Sequence, residues 1–180
     1  MASHEQHHAM EAPRLSPAPH LLLVTAPFYR SIADMLIAGA RAAIEGAGGS
    51  VEAIEVPGAL EVPTAIRLAA RTQRYDGFVA LGCVIRGATT HYETVCNDSS
   101  RAITLLGLEG ICIGNGILTV ETMDQALERA DPARMNKGAG AVIAALHLIA
   151  LDRRFRDPAP VTDPRDDILM AGETAPKDIA

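Results

Sequence analysis

Short apolar runs alternate with amphipathic stretches through the middle of the chain. The runs typical of strands are residues 20–26, 50–56, 77–81 and 110–114. The stretches with apolar residues at helical spacing are residues 31–47, 63–73, 91–106, 122–130 and 137–155. Strands that alternate with helices through short connections favour one parallel sheet with right-handed crossovers. We therefore predict an α/β fold, a three-layer sandwich in which helices cover both faces of a four-stranded parallel sheet.

The two ends of the chain lack this pattern. Residues 1–19 are polar and rich in His, Pro and Ala, and residues 157–180 hold four prolines among many acidic residues. Such compositions are typical of segments without a packed core. We predict a flexible N-terminal arm (1–19), one folded domain (20–156) and a flexible C-terminal tail (157–180).

Charge and cysteine content limit the classes of partner. The chain has 16 basic and 22 acidic residues and a net charge of −6, which disfavours a nucleic-acid partner. The longest apolar runs are too short to span a bilayer and no secretory signal precedes the first strand, so we expect a cytoplasmic protein that does not contact membranes. The three cysteines have no paired spacing, which predicts reduced, buried thiols and no metal site.

A predicted parallel sheet also predicts where a ligand binds, because ligands of open α/β sheets sit at the carboxyl ends of the strands. Four segments are expected to follow those ends: residues 27–30, 57–63, 82–92 and 115–119. We therefore look for candidate chemistry in these segments.

The segment 82–92 carries the densest signal. It turns at Gly87 and enters a helix at Thr89-Thr90-His91. A helix start offers unpaired N–H groups to a phosphate, and the threonines either add hydroxyl donors or simply cap the helix. His91 is suited to general acid–base chemistry near neutral pH, the alternative being a capped or packed histidine.

Each of the other candidate site residues has two interpretations. Glu61 is either a hydrogen-bond acceptor for a polyol or a first-turn acid that favours the helix dipole. Phe28 either stacks on a flat ring or belongs to the core. Arg129 and Lys137 either bind a phosphate or remain solvated.

An ordered set of motifs resembles the lumazine synthase family. The set is Pro57-Gly58-Ala59-x-Glu61-x-Pro63, Gly82-x-Val84-Ile85-Arg86-Gly87-Ala88-Thr89-Thr90-His91-Tyr92, Val95-Cys96-Asn97, Gly116-Ile117-Leu118-Thr119, Glu128-Arg129-Ala130 and Asn136-Lys137-Gly138. The similarity covers about residues 20–155. It implies a flavodoxin-like fold and the condensation of 5-amino-6-(D-ribitylamino)uracil with 3,4-dihydroxy-2-butanone 4-phosphate, which forms 6,7-dimethyl-8-ribityllumazine in the penultimate step of riboflavin biosynthesis.

The resemblance also implies a role for each residue. His91 is the proton-transfer residue, and no cofactor or metal is implied. The residues implied to bind the uracil and its ribityl group are Phe28, Ala59, Leu60, Glu61, Cys83, Val84, Ile85 and Asn115. The residues implied to bind the phosphate are Ala88, Thr89 and Arg129, with Thr90 and Lys137 as further candidates.

The resemblance further implies a homo-oligomer, a pentamer or a multiple of pentamers, in which residues from two neighbouring chains complete each site. It names riboflavin synthase as a candidate partner. Asn115 stands where many members have an aromatic or apolar residue, and Pro27 and Tyr29 depart from the family pattern around the stacking aromatic. These departures lie on the uracil side of the implied pocket.

Two other functions stay open at this point. A lumazine- or flavin-binding or shell-forming paralogue with reduced catalysis is compatible with the departures near Phe28 and at Asn115. A flavodoxin-like phosphate-binding module is compatible with the sheet, since fold alone does not determine function.

Overall fold

The structure, a computed structural model, describes residues 10–156. Residues 1–9 of the predicted arm and the whole predicted tail (157–180) lie outside the described residues. The elements in chain order are β1 (His20–Thr25), α1 (Arg30–Gly46), β2 (Ser50–Glu55), α2 (Glu61–Ala70), β3 (Gly77–Ile85), α3 (His91–Leu108), β4 (Ile113–Val120), α4 (Met123–Ala130) and α5 (Lys137–Arg156).

The four strands form one parallel sheet in the order β2-β1-β3-β4. One core lies between the sheet and helices α1, α4 and α5, and a second core lies between the opposite face and helices α2 and α3. The predicted α/β three-layer sandwich of the flavodoxin-like kind is confirmed.

Strand β1 shows why its sequence is apolar without alternation. Leu21 and Leu23 pack in the first core, whereas Leu22 and Val24 pack in the second. Successive side chains of a strand point to opposite faces, so a strand covered on both faces needs apolar residues at every position. β1 therefore lies at the centre of both cores.

The predicted ends of the third and fourth strands were wrong. β3 continues to Ile85 instead of ending at Leu81, and β4 spans Ile113–Val120 instead of residues 110–114. β3 and β4 are paired along this whole length, from Phe78 opposite Ile113 to Ile85 opposite Val120. Residues 82–85 and 115–119, which were predicted to be loops after strands, therefore belong to the sheet.

Residues 10–19 lie against α5 and the start of β2. His147 Nε2 donates to the Glu11 carbonyl oxygen at 2.9 Å, and Arg153 Nη1 donates to the Pro17 carbonyl oxygen at 2.5 Å. Leu15 packs against the first core. The predicted flexibility of the arm stays a prediction.

Within residues 10–156, no helix combines the length and the apolar character that a membrane span requires.

The contact between β4 and α5 tolerates no side chain at Gly114. A Cβ added there would lie 1.8 Å from the Ala141 carbonyl oxygen, which belongs to helix backbone. We expect Gly114→Ala to lower the free energy of unfolding by about 1–3 kcal/mol or more, since a clash with backbone forces α5 away from the sheet. Urea unfolding at one fixed protein concentration measures the change.

Gly107→Ala in α3 is the matched control, because nothing lies within 4 Å of its added Cβ. An alanine in a helix is as stable as glycine there or more stable by up to about 1 kcal/mol. Equal losses in both variants would contradict the close packing of β4 on α5.

Candidate active site

A first cleft, named here the His91 cleft, opens where the chain leaves β1, β2 and β3. Its volume is about 460 Å³. The predicted site residues that line it are Phe28, Ala59, Leu60, Glu61, Cys83, Val84, Ile85, Thr89 and His91. The carboxyl ends of three parallel strands thus bring together residues that are far apart in the sequence.

The wall formed by β3 has free backbone groups. Pairing between β1 and β3 ends at Thr25 and Leu81, followed by one bond from Ala26 N to Leu81 O at 2.9 Å. Pairing between β3 and β4 continues to Ile85. Beyond Leu81, the edge of β3 that faced β1 therefore has no strand beside it in the described chain and faces the cleft. Backbone donors and acceptors there suit the edge of a flat polar ring.

Phe28 projects from the turn between β1 and α1 and is 75% exposed. Within the described chain, its one aromatic contact is an edge-on contact with Tyr29, with ring centroids 5.1 Å apart. This exposure excludes the alternative that Phe28 is a core residue of the single chain. A flat ligand in the His91 cleft can stack on it.

The segment between β2 and α2 forms another wall. Glu61 N donates to the Gly58 carbonyl oxygen at 3.2 Å, which closes a tight turn. Ala59 is buried, whereas the Leu60 and Glu61 side chains are exposed. Glu61 begins α2, so it is both a first-turn acid and a cleft residue. Its carboxylate can accept hydrogen bonds from a polyol.

His91 is the first residue of α3 and is exposed toward the cleft rather than packed in a core. Thr90 occupies the N-cap position but makes no side-chain capping bond. The Thr89 hydroxyl oxygen lies 3.4 Å from His91 N, which is a long hydrogen bond. The helix start is therefore only weakly capped by its threonines, which suits it to an anion.

A second cleft, named here the Arg129 cleft, lies along β4 and helices α4 and α5. Its volume is about 450 Å³, and it is lined by the predicted residues Asn115, Arg129 and Lys137. Arg129 Nη1 donates to the Gln125 carbonyl oxygen at 3.1 Å, which orients the guanidinium. Arg129 Nη1 also lies 3.9 Å from Glu128 Oε2, whereas no salt bridge of Lys137 is found within residues 10–156. Two cations and few acids make this cleft suited to a phosphate.

Asn115 points outward from β4 into the Arg129 cleft. Its Oδ1 accepts a hydrogen bond from Ile117 N at 3.0 Å. This bond orients the side chain, and the amide N–H groups make no hydrogen bond within residues 10–156 and can donate to a ligand.

The two clefts share no lining residue within one chain. Arg129 and Thr89 therefore line different clefts, although both were predicted to bind one phosphate. Ala88 and Thr90 are exposed and line neither cleft. A single chain holds the predicted site in two separate parts.

Comparison with known proteins identifies the family. Residues 18–153 match the family model of 6,7-dimethyl-8-ribityllumazine synthase. The chain belongs to this family. The predicted family is thus confirmed.

Curated relatives with that name cover most of the chain. The protein of Jannaschia sp. (strain CCS1) is 56% identical over 158 residues, which are 88% of this chain and 88% of that protein. The protein of Erythrobacter litoralis is 57% identical over 134 residues, covering 74% of this chain and 96% of that protein. The protein of Sphingopyxis alaskensis is 54% identical over 136 residues, covering 76% and 96%.

Several residues that line the two clefts were not among the predicted site residues. Tyr92 and Val95 line the His91 cleft, and Thr119 lines the Arg129 cleft. Spacing could have indicated Val95, because His91 and Val95 are four residues apart and so lie on one face of a helix. Thr119 was placed in a loop after the fourth strand, so its side-chain direction was not predictable.

Cys83 lines the His91 cleft but is only 7% exposed, and burial raises the pKa of its thiol to about 11. Burial also raises the pKa of the Cys112 thiol to about 11. A thiol reacts as its thiolate, so both groups are poor nucleophiles near neutral pH. In the lumazine synthase cleft, Cys83 therefore contributes backbone and packing rather than a reactive sulfur.

We expect Cys83 and Cys112 to react slowly with a disulfide reagent in the folded protein. With a pKa of about 11, roughly one thiol in 1,000 is ionised at pH 8. Time-resolved labelling with peptide mass spectrometry measures each site, and protein unfolded in urea is the control in which all cysteines react fast. Rapid labelling of Cys83 in the folded protein would contradict its buried, neutral state.

Proposed function

We propose that this chain condenses 5-amino-6-(D-ribitylamino)uracil with 3,4-dihydroxy-2-butanone 4-phosphate and releases 6,7-dimethyl-8-ribityllumazine, phosphate and water. The observation that carries the proposal is the His91 cleft, where an exposed histidine, an exposed phenylalanine and a free strand edge converge. Family membership supports the same reaction.

The uracil is assigned to the His91 cleft. Phe28 stacks on the ring, and the free edge of β3 at Cys83–Ile85 bonds its polar rim through backbone groups. The segment Ala59–Glu61 holds the ribityl chain, with the Glu61 carboxylate as acceptor for its hydroxyls. This arrangement directs the 5-amino group of the uracil toward the start of α3.

His91 is assigned the proton transfers. The amino group attacks the ketone, and the resulting imine forms with loss of water. The imine then loses phosphate to give an enol, which tautomerises to a ketone. The ribityl-bearing nitrogen attacks this ketone carbon, and loss of a second water closes the ring. Each step moves a proton, and an exposed imidazole at the cleft wall can accept and return it.

The phosphate is assigned to Arg129 and Lys137 together with Thr89. Because these residues lie in separate clefts of one chain, we propose that a second copy brings its Arg129 cleft against the His91 cleft. β4 lies at the edge of the sheet, so the Arg129 cleft is placed where a neighbouring chain can reach it. A ring of five chains, alone or in multiples, gives every chain one such neighbour on each side.

Asn115 then enters the site from the second copy. Its amide N–H groups face the uracil side of the composite pocket and donate to a ring carbonyl. Riboflavin synthase, which uses the lumazine product, stays a predicted partner.

Purified protein supplied with both substrates is expected to form the lumazine, and His91→Ala is expected to slow turnover by about 10²-fold or more. The absorbance of the lumazine product measures the rate after subtraction of the uncatalysed reaction. His147→Gln is the matched control, because His147 lies on α5 outside both clefts.

No product above the uncatalysed rate would refute the proposed activity. A much smaller loss in His91→Ala would remove His91 as the main proton-transfer residue, since the imine can form without assistance.

Two inactive variants are expected to restore each other's activity if the site is shared between chains. His91→Ala and Arg129→Ala are unfolded together in equal amounts and refolded, and the rate is measured at low sugar phosphate. Random mixing in a closed ring gives about a quarter of the sites an intact His91 and an intact neighbouring Arg129.

Wild-type chain mixed in the same way with the double variant H91A/R129A provides the control. A site shared by two chains again predicts about a quarter of the wild-type rate, whereas a site within one chain predicts about half. No restoration in the first mixture, together with half activity in the second, would refute the shared site. Arg134→Ala, an exposed neighbour of Arg129 outside both clefts, is expected to behave as wild type.

A further inference from the structure

The start of α3 has only weak capping, a long hydrogen bond from His91 N to the Thr89 hydroxyl oxygen at 3.4 Å. The N-cap residue Thr90 makes no capping bond, and the His91 imidazole has no hydrogen-bond partner within the described residues. A Cβ added at Gly87, in the preceding turn, would have no neighbour within 4 Å. A proton-transfer residue at a weakly capped helix start needs another anchor to keep its position.

Arg86 makes the contacts that such an anchor requires. It is the first residue after β3, and its N–H donates to the Val120 carbonyl oxygen at 3.0 Å. Its Nε donates to Glu121 Oε2 at 2.7 Å, at the end of β4. Its Nη1 donates to the carboxylate of Glu93, in the first turn of α3.

The same guanidinium also lies over the ring of Tyr92, with its central carbon 4.1 Å from the ring centroid. Tyr92 and Glu93 are the two residues that directly follow His91. Arg86 therefore connects the ends of β3 and β4 to the residues beside His91. It lines neither cleft, so it does not itself contact a ligand bound there.

We propose that Arg86 is a positioning residue: its contacts with Glu121, Glu93 and Tyr92 fix the first turn of α3 and thereby hold His91 against the His91 cleft. The inference rests on the proposed function only in assigning proton transfer to His91.

The chemistry of the contacts favours arginine at this position. A planar guanidinium can donate to two carboxylates in different directions while its face stacks on an aromatic ring, which a lysine ammonium cannot do. The hydrogen bond from Arg86 lowers the pKa of the Glu93 carboxyl. Glu93 is therefore ionised near neutral pH, and its contact with Arg86 weakens only as the pH falls through that lowered pKa.

A role in overall stability does not account for the arrangement. The Arg86, Glu93 and Glu121 side chains are 40%, 46% and 55% exposed, and exposed ion pairs contribute little to the free energy of unfolding. Their expected effect is local, on the position of the helix start. A small displacement of a reacting group can cost up to about 10²-fold in rate.

The test compares Arg86→Ala with Arg101→Ala, an exposed arginine of α3 that pairs with Asp98 in the same helix and lies outside both clefts. We expect Arg86→Ala to lower kcat by about 10-fold or more, with little change in KM for either substrate. Arg101→Ala is expected to keep the wild-type kcat. An equal loss in both variants, or a loss confined to KM, would overturn the proposal.

A double-variant cycle shows whether Arg86 acts through His91. Arg86→Ala introduced into His91→Ala is expected to cause no further loss of rate above the uncatalysed reaction. Losses that multiply would mean that Arg86 acts independently of His91 and would overturn the proposal. If Arg86→Ala does not fold, Glu93→Ala, which removes one of the two carboxylates, takes its place in the cycle.

Hydrogen exchange gives a readout that does not depend on activity. Amide exchange in residues 87–96 is expected to become faster in Arg86→Ala and to stay unchanged in Arg101→Ala. Unchanged exchange in Arg86→Ala would overturn the proposal even if the wild-type protein made no lumazine. A wild-type protein that makes lumazine while its Arg86 variant shows wild-type exchange would refute this inference and leave the proposed function intact.

Discussion

The unequal lengths of neighbouring strands determine where this protein can bind a ligand. β3 is paired with β4 as far as Ile85, but its pairing with β1 ends at Leu81. The remaining edge of β3 must find hydrogen-bond partners, because unsatisfied backbone groups are costly once water is excluded. A flat polar ring supplies such partners. Phe28 and His91 line the same cleft as that edge, so the proposed chemistry depends on this mismatch in strand length.

Residue pattern predicted the order of elements but not the full length of two strands. β1 could be predicted from the sequence because its residues are apolar on both faces of the sheet. Gly82 interrupts the apolar run of β3, and β4 contains Gly114, Asn115 and Gly116, which are weak strand formers. They become strand because β3 and β4 pair with each other. That pairing is a tertiary contact, which local propensity does not contain.

The site residues could be predicted from their place after the strands, whereas their division into two clefts could not. Arg129 and Thr89 both suit a phosphate, and only the sheet order separates them. Similarly, an apolar Phe28 is compatible with a core until its exposure is known. The network around Arg86 joins residues 35 positions apart, which no local pattern indicates.

A protein with a net charge of −6 can bind a phosphate substrate if its basic residues are concentrated at one place. Arg129 and Lys137 line the same cleft, and a neighbouring chain would add the weakly capped start of its α3. In the proposed shared site, positive potential is concentrated where the leaving group would bind. The proposed division of the site between chains would also explain why neither cleft of one chain contains both a general acid–base residue and a cationic phosphate site.

A crystal structure of the protein with a non-reactive ribitylaminouracil analogue and inorganic phosphate tests the shared site most directly. The analogue is expected on Phe28 and the β3 edge of one chain, with phosphate held by Thr89 of that chain and Arg129 of its neighbour. Phosphate bound by Thr89 and Arg129 of the same chain, or an analogue bound away from Phe28, would contradict the shared site.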